Sequence, residues 1–475
     1  MRPRSGKKNQ IEKKPALDLT CAISGMKRLY NILFTLFVCL SSPYYFLKMW
    51  RRGNWVQGFG ERFGRFGSKV KQAVTNRQVL WLHAVSVGEV NVATQLIAVL
   101  ERRLPNLKIV VSTTTSTGMG ELQRKLPSHI QKIYYPIDRR EYVSRAILAV
   151  HPEVMVLVEA EIWPNFLWRA RELRIPVFLV NARLSGRSYR GYRRFGFLFR
   201  PLFASLAGVG CQHEADAQRL RTLGCRPEAI HVVGNLKFDA AKLEERRLLD
   251  VRALLRQLGV PDGARLLVGG STHAGEEGVL ADIFLRLRRE FPELFLVLVP
   301  RHFERGREAG RELEARGIKF AYRSEISVNA RYKPNEIECL LVNTTGELRY
   351  FYEHADAIFV GKSLTSEGGQ NPIEPGALGR AMVFGPNMQN FEAIAKAFVG
   401  QNGALQVKDS AELEAAFREL LANPERAAEL GRNAVRVVRE NSGAIERTVD
   451  MIVGRLGGGE IYVAPKRSQP LTKAS

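Results

Sequence analysis

Acidic residues are scarce in this chain. Across 475 residues, 48 Asp and Glu stand against 71 Lys and Arg, a formal net charge of +23. Such an excess implies attraction to something anionic, either nucleic acid or a membrane surface rich in acidic headgroups. Paired cysteines are also missing. Cys21, Cys39, Cys211, Cys225 and Cys339 are odd in number and show no C-x-x-C spacing. That excludes the usual cysteine metal sites and points to free thiols in a reduced compartment. His83, His213, His273, His302 and His354 never fall at metal-ligand spacing, so no metal and no cofactor is assigned. No G-x-G-x-x-G follows the first strand, and there is no G-x-S-x-G elbow. GGSTHAGEEG (269–278) has phosphate-loop glycines, but Glu276 and Glu277 stand where Lys and Ser/Thr belong. Gly361-Lys362-Ser363 lacks the earlier glycine, with Asp356 in its place, so a nucleoside triphosphatase is disfavoured.

What is present is enough for two domains and an appendage, since 475 residues exceed one ordinary core. Residues 1–28 are basic, with Arg2, Arg4, Lys7, Lys8, Lys13, Lys14, Lys27 and Arg28. Residues 29–47 then carry no charge. A bilayer core requires about 20 apolar residues, and Asn31, Ser41, Ser42 and Pro43 interrupt this run. Tyr44, Tyr45 and Trp50 end it like interfacial anchors, before Arg51 and Arg52. The expectation is a membrane anchor within 1–55, with a buried helix of the soluble part as the rival. Large aromatics at the end disfavour a cleaved signal peptide.

From residue 78 onward, apolar runs alternate with helical stretches. Seven runs (79–86, 108–115, 132–137, 154–161, 177–184, 208–213, 230–236) and five more (264–272, 294–301, 339–345, 357–363, 381–386) read as parallel strands covered on both faces. The expected fold is α/β: two doubly wound Rossmann-like domains, 56–235 and 236–455, facing a cleft, with a loose tail at 456–475.

Chemistry in such folds gathers where a strand ends and a helix begins. VLWLHAVSVGEVNV (79–92) places Glu89 there, as a candidate general base. Ser86-x-x-Glu89 is equally a capping box, and a cap competes with a base for the same oxygens. Farther on, GKSLTSEGGQNPIEPGALGRAMVFGPNMQNF (361–391) offers Gly368 and Gly369 for close backbone approach. A helix then opens at Asn371-Pro372-Ile373-Glu374, where Glu374 can accept a ribose hydroxyl pair. Arg187 to Arg200 (RSYRGYRRFGFLFR) interleaves cations with aromatics, a pattern suited to nucleic acid, to a membrane surface or to a plain solvated helix.

The segment 361–391 looks like the nucleotide-sugar pocket of GT-B glycosyltransferases. With HAVSVGE (83–89), EAEIWPN (159–165), NARLSGRS (181–188), GNLKFD (234–239), GSTHAGEE (270–277) and PRHFER (300–305), the chain resembles the 3-deoxy-D-manno-octulosonic acid (Kdo) transferases of lipopolysaccharide synthesis, in order from about residue 25 to 455. The resemblance implies inverting transfer of Kdo from CMP-Kdo to a lipid A precursor, at the cytoplasmic face of the inner membrane, without a bound metal. It makes Glu89 the base and Glu161 a second carboxylate. It assigns the donor to Lys237, Ser271, Thr272, Arg301, His302, Gly361, Gly369, Asn371 and Glu374. Arg187, Arg190, Arg193 and Arg194 would meet acceptor or membrane phosphates while Tyr and Phe enter the interface. A GT-B enzyme with another nucleotide-sugar donor is the alternative. The carboxylate motifs argue against a nucleic-acid-binding protein.

Overall fold

A computed structural model describes residues 17–51, 56, 58–239, 249–327 and 329–456. The basic tract 1–16 and the tail from 457 lie outside the described residues. Two parallel sheets form, of seven strands each. The first contains β1 (Gln78–His83), β2 (Leu107–Thr113), β3 (Gln131–Tyr134), β4 (Pro152–Val158), β5 (Val177–Ala182), β6 (Gly208–Cys211) and β7 (Ile230–Val232), in the order β3-β2-β1-β4-β5-β6-β7. The second contains β8 (Arg265–Thr272), β9 (Leu294–Pro300), β10 (Phe320–Tyr322), β11 (Cys339–Leu341), β12 (Ala357–Val360), β13 (Met382–Phe384) and β14 (Leu405–Gln406), in the order β10-β11-β9-β8-β12-β13-β14. These are the orders of doubly wound sheets. The crevice falls between β1 and β4 in one and between β8 and β12 in the other. β10 and β14, of three and two residues, are additions to the expected strands.

Alternation along β1 shows how the first core is built. Val79 and Trp81 enter the cluster on one face, with Phe166, Leu179 and Phe203. Leu80 and Leu82 enter the cluster on the other, with Leu96, Leu100, Val154 and Val156. Burying each such side chain stabilises the fold by about 1.5–3 kcal/mol. Two further clusters line the faces of the second sheet.

The chain divides into two compact units, Met1–Leu236 together with Gly443–Ser475, and Lys237–Ser442. The first unit gives way to the second between Leu236 and Lys237. The second boundary is corrected: the helix Ala444–Leu456, expected in the second domain, returns to the first. Its Ile445, Val449, Met451 and Ile452 complete the cluster around Leu80 and Leu82.

The anchor is corrected as well. A 35-residue helix, Leu17–Arg51, forms around the uncharged run. No helix among the described residues is long and apolar enough to cross a membrane, and Asn31, Thr35, Ser41, Ser42 and Pro43 interrupt the uncharged run of this one. One edge of the helix docks on the first unit. The Tyr30 hydroxyl donates to Asp138 (2.8 Å), Asn31 exchanges bonds with Asn165, and Lys27 meets Glu172 (2.9 Å). Tyr30 packs edge-on against Trp168.

Candidate active site

In the first unit, β1 ends at His83 and the chain turns through 84–86 into the helix Val87–Arg103. Ser86 caps that helix, its hydroxyl oxygen accepting the Glu89 N–H (3.2 Å). The Glu89 carboxylate folds back over the turn: Oε2 accepts the Val85 N–H and Oε1 accepts the Ser86 hydroxyl, both at 2.8 Å. A capping arrangement therefore exists, drawing one bond to each oxygen. Each carboxylate oxygen carries a second lone pair, so capacity to take a proton remains. Glu89 is buried, 8% exposed. Burial raises its proton affinity and the charge of Glu159 adds to that, while the bonds from Val85 and Ser86 oppose it.

Across the crevice, β4 gives way to Glu159, held at φ 62°, in the left-handed region. That backbone reverses the chain and brings Glu161 back over the strand ends. Glu161 Oε2 accepts the Trp163 indole N–H (2.8 Å) and lies 3.9 Å from His83 Nε2. Burial pushes its carboxyl up to about 7; the Trp163 bond opposes this, and the charges of Glu89 and Glu159 add to it. Beneath it His83 is fully buried, and burial lowers its pKa to about 3, so the ring is neutral near pH 7. Tyr135 stacks on that ring at 3.9 Å. His83 Nε2 and the Tyr135 hydroxyl are buried with no hydrogen-bond partner among the described residues. A buried polar atom left unmet costs about 1–3 kcal/mol, so this recess suits a hydroxyl-bearing ligand or water. Raised, mutually repelling carboxylates are what proton abstraction near neutral pH requires.

The second unit builds a different site at its own crevice, between β8 and β12. Ser271 sits at φ 55° and Lys362 at φ 54°. A Cβ on Gly361 would lie 2.5 Å from the Ser271 carbonyl oxygen, so only glycine lets the two strand ends close together. Gly369 (φ 72°) leaves no room for a Cβ beside Met388. Glu276 is fully buried and accepts four backbone N–H bonds, from His273, Lys362, Ser363 and Leu364, at 2.7–3.0 Å. Donors that a phosphate loop would aim at its ligand are here filled by the chain's own carboxylate. Arg301 is exposed, and its guanidinium has no hydrogen bond or ion pair among the described residues. The ring centroids of His302 and His273 lie 6.0 Å apart. Burial lowers His273's pKa, against the bond to the Ser271 carbonyl oxygen and the charge of Glu276.

Residues 57–240 match the family profile of the 3-deoxy-D-manno-octulosonic-acid transferases (kdotransferases). A 3-deoxy-D-manno-octulosonic acid transferase of Bordetella pertussis is 33% identical over 90% of this chain and 99% of its own length. One from Haemophilus influenzae is 32% identical over 83% of this chain and 91% of its own. The chain belongs to this family. It is a glycosyltransferase, and its two sheets have the GT-B architecture. A UDP-GlcNAc 2-epimerase from Neisseria meningitidis shares that fold at 15% identity, with a TM-score of 0.55 over 79% of this chain and all of its own.

In this Kdo transferase, Glu89 and Glu161 come together in the first unit, at the ends of β1 and β4. Ser271, Arg301, His302, Gly361 and Gly369 gather at the ends of β8, β9 and β12. Asn371 accepts the Ile373 N–H (3.1 Å) at the start of the helix Ile373–Ala377, which carries Glu374. Lys237 lies with its ammonium 5.7 Å from the Phe391 ring. Thr272 is corrected as a phosphate donor: it is fully buried and its hydroxyl donates to Glu277 (2.8 Å), which Arg305 holds with two bonds. Arg187, Arg190, Arg193 and Arg194 are exposed on the helix Gly186–Arg194. Their neighbouring aromatics divide: Tyr189, Tyr192 and Phe199 pack on the core, and only Phe195 and Phe197 face outward. Tyr192 reaches close enough for the Glu161 charge to add to burial in raising its phenol to about 12. The sequence reading assigned no functional role to Glu159, His83, Tyr135, Glu276 or Lys362. The E-x-E spacing within EAEIWPN is the signal that points to Glu159.

Proposed function

We propose that this enzyme transfers Kdo from CMP-Kdo to a lipid A precursor in a single inverting displacement. The acceptor hydroxyl oxygen bonds to the anomeric carbon, its proton passes to Glu89, and the bond to the CMP phosphate breaks with its electron pair leaving on CMP. Glu161, whose proton affinity lies near neutrality, orients the acceptor by hydrogen bonding. Ser271, Arg301, His302 and Lys362 meet the donor's phosphate and carboxylate, and Asn371 and Glu374 hold its nucleoside. The reading rests on one observation above all: Glu89, buried and with raised proton affinity, at the crevice of the first sheet in a chain of this family. The arginines of the helix Gly186–Arg194 and the overall charge of +23 suit a phosphorylated lipid at the cytoplasmic face of the inner membrane.

The test is incubation with CMP-Kdo and a tetraacylated lipid A precursor, with the product read by mass spectrometry. Wild type adds the mass of Kdo; Glu89→Ala gives up the capping bonds with Val85 and Ser86, at a cost of about 0.5–2 kcal/mol, but stays folded, keeps CMP-Kdo binding and transfers at least about 100-fold more slowly, as loss of a general base predicts. Transfer by Glu89→Ala at near the wild-type rate would remove Glu89 as the base. Binding of UDP-sugars without CMP would remove the donor assignment.

A further inference from the structure

His83 ends β1 beneath Glu161, and its ring is fully buried. The transfer step as written does not use it, yet its surroundings fix it closely. Nδ1 lies 3.1 Å from the Ser112 carbonyl oxygen and 2.9 Å from the Ser112 hydroxyl oxygen, which also accepts the Trp81 indole N–H (2.8 Å). Tyr135 stacks on the ring, with 3.9 Å between centroids, and so sets its plane. A carbonyl oxygen can only accept, so Nδ1 carries the ring hydrogen. Nε2 is left with a bare lone pair, buried and without a hydrogen-bond partner among the described residues.

Glu161 Oε2 faces that lone pair at 3.9 Å, about 1 Å beyond a hydrogen bond. An ionised carboxylate carries only lone pairs, and lone pairs facing each other in a buried site repel. A protonated carboxyl has a hydrogen to give, and Nε2 is an unmet acceptor beside it. Oε2 can give that hydrogen while a lone pair on the same oxygen keeps the Trp163 indole bond. The groups around Glu161 favour the same form. Glu89, on the helix Val87–Arg103, and Glu159, in the turn after β4, act on it with like charge. Tyr135 and Tyr192 face it as neutral phenols, with Asp138 and Tyr30 beyond Tyr135. No Lys or Arg among the described residues forms an ion pair with it. Burial keeps His83 too weak a base to take the proton outright, so the ring only accepts a hydrogen bond.

We propose that His83 is a positioning residue for transfer: its unpaired ring nitrogen accepts a hydrogen bond from Glu161 and holds that carboxyl as a neutral acid, so that Glu89, and not Glu161, takes the acceptor's proton. Two ionised carboxylates would repel each other and compete for one proton, whereas a neutral partner orients the acceptor without competing. The inference rests on the reading of Glu89 as the base.

The first test is an infrared pH titration of the unliganded full chain, which needs no substrate. Wild type should show a protonated-carboxyl carbonyl stretch that is lost as pH rises through about 7 and is missing from Glu161→Gln. Coincident titrations of the two proteins would overturn the proposal. The second test is the pH profile of kcat/KM. His83→Asn keeps a donor toward Ser112 but has no acceptor at the Nε2 position; His83→Gln places an amide oxygen there. A hydrogen bond that stabilises the neutral form raises a carboxyl's pKa, so its loss lowers it. The basic limb is expected to move down by about 0.5–1 unit in His83→Asn and to return toward wild type in His83→Gln. An upward move in His83→Asn would make Nε2 a donor to an ionised Glu161 and sink the idea. Limbs unmoved in both variants, with only rate lost, would reduce His83 to packing. If neither variant folds, the infrared comparison still decides. Failure of Glu89 as the base would appear separately, as continued transfer by Glu89→Ala.

Discussion

A glutamate that caps a helix commits lone pairs to nearby donors, and each such bond lowers its proton affinity. Glu89 is such a cap, through Val85 and Ser86. What offsets the caps is burial, together with the like charge of Glu159. The same neighbour helps to raise Glu161. The pH dependence of transfer therefore belongs to the carboxylate group as a whole. A like charge raises a carboxyl's pKa, so removing it lowers the pKa and the ionised base persists to lower pH. Glu159→Gln is expected to move the acid limb of kcat/KM downward by about 0.5–1 unit, the scale of one modest charge interaction. The measurement is a pH–rate profile from 5 to 9, in pH units set by the expected titration. A limb that stays in place would show that Glu159 does not act on the pair in solution. The sequence already displayed Glu89 and Glu161. It hid Glu159, because two alternate carboxylates after an apolar run also read as a strand leaving the core. Only the left-handed backbone at Glu159 turns them back over the sheet.

At the scale of elements, most of the two sheets was legible, because buried parallel strands read as continuous apolar runs. Two runs overshoot their strands by three residues at the C-terminal end: 79–86 against Gln78–His83, and 154–161 against Pro152–Val158. Those extra residues form the turns that carry the candidate chemistry. Glu276 shows what spacing conceals. It stands at the lysine position of a phosphate loop, and the mismatch argued correctly against a triphosphatase. Its positive role, fastening the turn after β8 to the turn after β12, lies in four backbone bonds that span 86–88 residues of sequence or join neighbours in the turn. Glu276→Gln would present an amide NH₂ to some of these donors and leave them unmet. The expected cost is about 3 kcal/mol of stability, from one or two buried donors. A rise in CMP-Kdo KM exceeding any change in kcat is expected with it, measured by thermal unfolding and steady-state kinetics. Lost stability with an unchanged KM would confine Glu276 to holding the fold.

On the scale of the whole molecule, the chain enters the second unit at Lys237 and returns to the first at Gly443. The amphipathic pattern of the helix Ala444–Leu456 shows that it has a core face but not which core receives it. Proximity in sequence wrongly favours the second. In the structure Ile445, Val449, Met451, Ile452 and Leu456 are buried against the first sheet's cluster. Arg447 Nε also donates to the Val233 carbonyl oxygen (2.8 Å). Five such side chains at about 1.5–3 kcal/mol each contribute on the order of 10 kcal/mol, which is comparable with the whole stability of a typical domain at about 5–15 kcal/mol. A chain ending at Ser442 should therefore fail in the first unit, losing cooperative folding and all transfer. The second unit keeps its own core clusters and should still bind CMP. Two-probe unfolding separates these outcomes: Trp81 and Trp168 fluorescence reports the first unit, and CMP titration by calorimetry reports the second. If the truncated chain keeps a native tryptophan transition, the returning helix is dispensable and the first unit is complete at Leu236.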